Sequence, residues 1–311
     1  MPVGIGGAGS VGFAHEVTSG TYVAPTRFLP VRSESLNFIN EVQYTRPIMQ
    51  VVDNVHAVEG PQRVEGDIEF ELIEDLFTYI MYGARVAVVK SGAGPNFTYT
   101  FTPSNAAEAP LKTLSITVVR NGVVFGYTGC VVGSIEVTVD SGLAVCTMSI
   151  LGRGEATQAD PTEVFPVTEP FGADAYTIEI PSGSPITDAD TLTWGVDESA
   201  EAVYRLGQAQ AAAFVKFGER SVTASVERDF LNKTDYDAFK AVTAQALRFL
   251  ITKGATRNVD ILTRSAIKSS YEVNLSSQGD LVRGSIEYEG KYDFANSESY
   301  RIITKTDIDI T

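Results

Sequence analysis

The chain has little of what catalytic, metal-binding and membrane proteins depend on. Its 311 residues include two histidines, two cysteines and one tryptophan. His15 and His56 have no cysteine or acid at ligand spacing, which excludes a metal centre built on them and leaves both as expected surface residues. Cys130 and Cys146 fall inside expected strands as small apolar residues. Two thiols do not make a secreted disulfide scaffold, although one bridge between them stays open. No apolar run approaches the roughly 20 residues that cross a bilayer, and the first residues lack a basic stretch followed by an apolar core. Nothing is therefore expected to address the chain to a membrane or through one. Positive charge is scarce as well. Against 39 Asp and Glu stand 24 Lys and Arg, a net charge of −15. This disfavours binding nucleic acid by phosphate neutralisation and suits a surface past which a polyanion slides without sticking. Ordinary solubility accounts for the same charge.

Catalytic motifs are missing too. There is no G-x-S-x-G elbow and no phosphate-binding G-x-x-x-x-G-K-[ST] loop. Residues 4–9 match G-x-G-x-x-G, but three residues are too few for the strand the fingerprint requires and no helical pattern follows, so a flexible arm is expected. Acids pair at Glu69/Glu71, Glu74/Asp75, Asp188/Asp190 and Asp307/Asp309. Glycoside hydrolysis would need such a pair across a cleft, and a calcium loop would need more ligands after Asp190. No enzyme, cofactor or metal is expected; the chain reads as structural.

What the sequence has is alternation. In 134–151, Ile135, Val137 and Val139 alternate with Ser134, Glu136, Thr138 and Asp140, Ser141-Gly142 turns the chain, and Cys146, Met148 and Ile150 carry the apolar register back. A similar hairpin follows near the C-terminus, with Tyr271, Val273 and Leu275 between Ser270, Glu272, Asn274 and Ser276. Val137 and Val273, Val139 and Leu275, and Ile150 and Ile286 each lie 136 apart, which points to a duplication. Leu36 would correspond to Leu192 (offset 156), Ile68 to Val222 and Asp75 to Asp229 (offset 154). The second copy would then lack about eighteen residues corresponding to 91–110. The class is mainly β, with short helices expected at 74–82 and 234–247. Expected boundaries are an N-terminal arm at 1–31, a first domain at 32–160, a Pro-rich linker at 161–188 and a second domain at 189–311. The connection 40–64 is long enough to be a functional loop or projecting hairpin.

Several stretches together resemble the major tail tube proteins of long-tailed bacteriophages, in their larger two-copy form. They are the Gly-rich opening through Gly12-Phe13-Ala14-His15-Glu16 and residues 24–31; residues 33–38 followed by the long loop; the strand and helix at 66–83; and Gly126-Tyr127-Thr128-Gly129-Cys130 leading into the hairpin. The resemblance implies two tandem β-sandwich or half-barrel domains, each with a flanking helix and a long loop. It implies rings that stack into a tube conducting the genome, with three chains per ring in pseudo-sixfold symmetry, or six as the alternative. The implied partners are further copies of the chain, the tape measure protein, and tail terminator and baseplate proteins. Double-stranded DNA would pass through the lumen without specific binding. The protein would be made in the host cytoplasm and reside in the virion tail. Lumen-lining candidates are Ser134, Glu136, Thr138, Asp140, Ser270, Glu272, Asn274 and Ser276. Candidates for contact between rings are Tyr44, Arg46, Pro47, Val51, Val52, Asn54, Val55 and His56. A virion decoration protein, a bacterial surface adhesin and a carbohydrate-active enzyme are the rival readings.

Overall fold

Period-two alternation folds, as it must, into antiparallel strands. The computed structural model describes residues 9–310 except 26, 47, 50–52, 106–111, 141, 157, 159–160, 166–167, 208–210 and 275–280. The first half runs β1 (Ser10–His15), β2 (Arg27–Leu29), β3 (Val31–Glu34), β4 (Asn37–Asn40), β5 (Gln43–Thr45), β6 (His56–Val58), β7 (Gln62–Glu71), α1 (Glu74–Ile80), β8 (Val86–Ala93), β9 (Asn96–Pro103), β10 (Leu114–Arg120), β11 (Val123–Asp140), β12 (Leu143–Gly152) and β13 (Gly154–Ala156). The second runs β14 (Tyr176–Glu179), β15 (Pro185–Ile186), β16 (Ala189–Asp197), β17 (Glu201–Val203), β18 (Phe214–Lys216), β19 (Ser221–Asp229), α2 (Thr234–Lys240), β20 (Gln245–Lys253), β21 (Arg257–Asn274), β22 (Arg283–Gly290) and β23 (Tyr300–Thr306). The chain is mainly β, with large antiparallel sheets and two short α-helices among the described residues, consistent with a β-sandwich.

The two 18-residue strands, β11 and β21, organise the layers. The first part of β11 pairs with β10 and β13 and its last part with β12. Likewise β21 pairs first with β20 and β23 and then with β22. One layer is thus a continuous antiparallel sheet in the order β3/β4–β7–β12–β11–β16–β19–β22–β21. The other contains β2–β1–β10–β11–β13 and β15–β14–β20–β21–β23–β9–β8. A single apolar cluster fills the space between, drawing Phe13, Phe70, Met148, Trp194, Phe249 and Ile286 from both halves. Each such side chain removed from water contributes about 1.5–3 kcal/mol.

Bulges fix how the halves correspond. Gly133 is the extra residue between the pairs Val132–Ile150 and Ser134–Ser149; Ser269 is the extra residue between Lys268–Tyr288 and Ser270–Glu287. The offset on β11/β21 is therefore 136 (269 − 133), as Val137 and Val273 suggest. On the return arm it is 138 (288 − 150), so Ile150 corresponds to Tyr288 rather than Ile286. Arg32 and Asp190 are the extra residues of a second matched pair of bulges, an offset of 158 (190 − 32). The same 158 relates the β5–β6 and β17–β18 hairpins pair for pair. The offsets 156 and 154 expected for Leu36 and Ile68 are thus short by two and four. Even-numbered slips keep every side chain on its face, so alternation alone cannot detect them.

Other expectations change as well. Residues 10–15, expected in an arm, pair along β10 of their own chain, and Phe13 is fully buried. Within the expected linker, β14 pairs with β20 and with β15 as β1 pairs with β10 and with β2. The helix expected to reach Leu247 stops at Lys240, where Val242 turns left-handed with φ 51°. Leu247, Phe249 and Ile251 then bury alternate positions of β20, a strand period that a 3.6-residue reading obscured. The β8–β9 hairpin has no counterpart between α2 and β20, so the missing piece corresponds to a whole hairpin.

Buried polar contacts tie the halves together. Glu74, at the start of α1, is paired with Arg257 of β21, whose Nη2 donates to Glu74 Oε2 at 2.8 Å. Asp75 accepts a hydrogen bond from Thr306, and Thr78 Oγ1 donates to Thr304 Oγ1 at 2.8 Å. Glu198 is buried between Arg220 at 2.5 Å and Arg85 at 3.7 Å. Within the second half, Trp194 Nε1 donates to Thr263 Oγ1 at 3.0 Å.

Candidate functional site: an acidic sheet face and two open edges

The continuous sheet has one apolar and one wet face, and register shows which residues share the wet one. One row crosses Glu69, Thr147, Glu136, Gly195, Thr223 and Glu289 on successive strands. The next crosses Glu71, Val145, Thr138, Thr193, Ser225, Glu287 and Ser270. A third joins Asp67, Ser149, Ser134, Asp197 and Ser221, and a fourth Thr191, Glu227, Ser285 and Glu272. Ser134, Glu136, Thr138, Ser270 and Glu272 therefore lie on one surface, with Asp140 at the end of β11 on the same face. Asn274 pairs with Arg283 through the backbone; its side chain and Ser276 lie outside the described residues. The acids of β7, β19 and β22 were not among the sequence candidates for this face. Their alternation with Ile68, Phe70, Val226 and Ile286 was the signal that could have placed them there.

Carboxylates dominate this surface. Its cations are engaged: Arg63 Nε bonds Glu65 at 2.6 Å and Arg283 bonds Asp190 at 2.6 Å. Hydroxyls fill the gaps, as where Thr138 and Thr193 meet at 3.3 Å across the β11–β16 joint. Beneath Glu136, burial and then that carboxylate push the Cys146 thiol well above its ordinary range. Both cysteines are free and buried. The face offers fixed negative charge and neutral hydroxyls, the chemistry that repels phosphate rather than captures it.

The edges complete the site. Among the described residues, β3 and β4 pair only with β7 on this sheet, and β21 beyond Ala266 pairs only with β22. In the middle of the sheet the same kind of edge is closed: β11 meets β16, and Ile135, Val137, Trp194 and Val196 are all buried. On the open edge Phe38 is 37% exposed. Unpaired strand edges are templates for another strand.

The β5–β6 hairpin stands out from the sheet. Tyr44, Arg46, Asn54 and His56 are exposed, Val55 is half-buried, and Arg46 Nε donates to Asn54 Oδ1 at 2.6 Å. Ile48 and Met49 near its tip are exposed apolar residues. Pro47, Val51 and Val52 lie outside the described residues. His56 is on the surface as expected, but His15 is half-buried, stacked on Tyr79 at 3.9 Å with its Nε2 3.0 Å from the Tyr79 carbonyl. Burial lowers its pKa.

A β-rich chain with an acidic face and open edges matches one known group over nearly its full length: the family profile of phage tail tube proteins covers residues 6–290. The chain belongs to the phage tail tube protein family. A comparison with curated proteins found no match. As a tail tube protein it is a structural component of the virion tail. Family membership implies self-assembly into a tube and association with other tail proteins.

Proposed function

We propose that three copies of this chain close into a ring in which each half occupies one of six equivalent positions, and that stacked rings form the conduit for genome delivery. The wet face of the continuous sheet lines the channel, presenting Glu136, Asp140 and Glu272 together with the acids of β7, β19 and β22. Double-stranded DNA passes without specific binding, because fixed carboxylates repel phosphates and, among the described residues, no free cation cluster on this face holds them. The tape measure protein occupies the channel during assembly, and terminator and baseplate proteins meet its ends. In domain terms the units are two tandem copies, with β14 and β15 serving the second as β1 and β2 serve the first.

The observation that carries this reading is the β11–β16 joint. Two halves with matching pairing order meet edge to edge in one sheet, and the same two kinds of edge remain open at the sheet's ends. Head-to-tail use of unlike edges is a heterologous contact that closes a ring when the rotation per step permits. The tip of the β5–β6 hairpin, with exposed Ile48 and Met49, reaches the next ring.

Negative-stain imaging of the purified protein tests the proposal. Hollow tubes are expected from the full chain, and a folded protein without tubes from a chain lacking residues 45–60. Wild-type tubes from the deletion would remove the hairpin's role. Capsid binding without tubes would favour a decoration protein.

A further inference from the structure

We propose that neighbouring copies of this chain join by repeating, residue for residue, the β11–β16 joint that already links its own two halves. The inference rests on the ring assembly proposed above and fixes its register. Within the chain Ile135 pairs with Val196, Glu136 with Gly195 and Val137 with Trp194. The bulge-defined offsets of 136 and 158 carry these positions to the open edges. Tyr271 then pairs with Phe38 of the next copy (271 − 135 and 196 − 38), Glu272 with Asn37, and Val273 with Leu36. Face parity agrees on both sides without adjustment. Phe38 lies opposite Val64 on the apolar face and Asn37 opposite Glu65 on the wet one; Tyr271 lies opposite buried Ile286 and Glu272 opposite Ser285.

A second observation comes from two grooves. In the second half, Ile178, Ile186, Ala189 and Thr191 line a groove of about 340 Å³ that also takes Val139 and Gly142 from the end of the first half's hairpin. The corresponding residues of the first half, Val11, Leu29, Val31 and Ser33, line a groove of about 680 Å³ that, among the described residues, takes Asn121 of the β10–β11 turn and Phe165 but no residue of the β11–β12 or β21–β22 hairpin end. In the ring, the β21 and β22 strands of the preceding copy, described as far as Asn274 and Arg283, run toward this larger groove.

The hairpins give a third. Ala212 and Val215 of the β17–β18 hairpin are buried, and Ala212 meets the first half: its N donates to the Gln62 carbonyl at 3.2 Å, and Arg153 Nε donates to its carbonyl at 2.9 Å. Their counterparts Asn54 and Ala57 (212 − 158 and 215 − 158) are exposed. The base of the β5–β6 hairpin therefore packs sideways on the preceding copy's second half, leaving its tip for the next ring.

Cysteine crosslinking of the full-length chain tests the register. Directly opposed residues have Cα atoms about 4.5–5.5 Å apart, within disulfide reach, whereas a two-residue slip adds about 6.6 Å along the strand and exceeds it. Asn37→Cys with Glu272→Cys is expected to give disulfide-linked oligomers under mild oxidation, with yield several-fold above Ser35→Cys or Ile39→Cys combined with Glu272→Cys. Crosslinking through Ser35 or Ile39 with the Asn37 pair reduced would overturn the register while leaving ring assembly intact. Absence of rings from the unsubstituted chain would instead overturn the assembly itself. Should the cysteine variants fail to fold, cryo-electron microscopy of unsubstituted tubes reads the same pairing directly. Tyr271 opposite Phe38 supports the proposal, and any other partner refutes it.

Discussion

Replacing Arg257 by alanine probes how the two halves are locked together before assembly. The Glu74 side chain is 1% exposed and its carboxylate faces the Arg257 guanidinium, itself 19% exposed. Arg257 also donates to the Glu169 carbonyl at 2.7 Å and lies over the Phe171 ring at 5.4 Å. Removing one partner of a buried pair typically costs about 3–5 kcal/mol, because the other charge stays behind without compensation. Arg257 is partly open to water, so solvent entering its vacated path recovers some of that loss, and about 3 kcal/mol is expected. For a chain somewhat larger than 250 residues this corresponds to a fall in melting temperature of about 6–12 °C, taking about 2–4 °C per kcal/mol. Urea unfolding and calorimetry at pH 7, at matched protein concentration, provide the measurement. Glu74→Gln in the Arg257→Ala background should recover more than half of the loss, since no buried charge is then stranded. A loss under about 1 kcal/mol, the size of an exposed ion pair, would show that no buried charge is stranded.

Three further outcomes follow from the same structure. Gly66 has φ +151°, and a Cβ there would meet the Ser35 carbonyl oxygen at 2.4 Å; Gly66→Ala should cost about 2 kcal/mol or more and loosen β4 from β7, read by hydrogen exchange at β4. Asp75 has its pKa raised chiefly by burial, so the stability its protonated form provides is lost as pH rises through the folded value. Asp75→Asn should therefore match the wild type near pH 4 and melt higher than it at pH 7, and equal melting temperatures at both would contradict this. Glu136→Lys with Glu272→Lys should leave tubes intact but make them retain DNA at low salt and release it as salt rises, checked by co-sedimentation.

Much of the architecture was legible because half-buried antiparallel strands write their faces into the sequence. Ile135, Val137, Cys146 and Met148 are buried as their alternation implies, and the Asn121-Gly122 turn adopts positive φ at both residues. Register was not legible to the same degree. A period of two leaves slips of two or four residues invisible, and only the paired bulges at Gly133/Ser269 and Arg32/Asp190 resolve them. Strands of two to four residues among prolines, such as β14 and β15, carry too little pattern to separate from a linker. The wet face was half legible: the hairpin acids were visible as candidates, but those of β7, β19 and β22 join them only once strand order is known. The Glu74–Arg257 pair spans 183 residues, and no local signal announces it.

Cryo-electron microscopy of the assembled protein decides which way the sheet faces and how many chains share a ring. Stacked rings of three chains with pseudo-sixfold symmetry are expected, with a continuous sheet around the channel and Glu136 and Glu272 facing its interior. Rings in which those carboxylates face outward, or a monomer whose two open edges stay unpaired at every concentration, would contradict it.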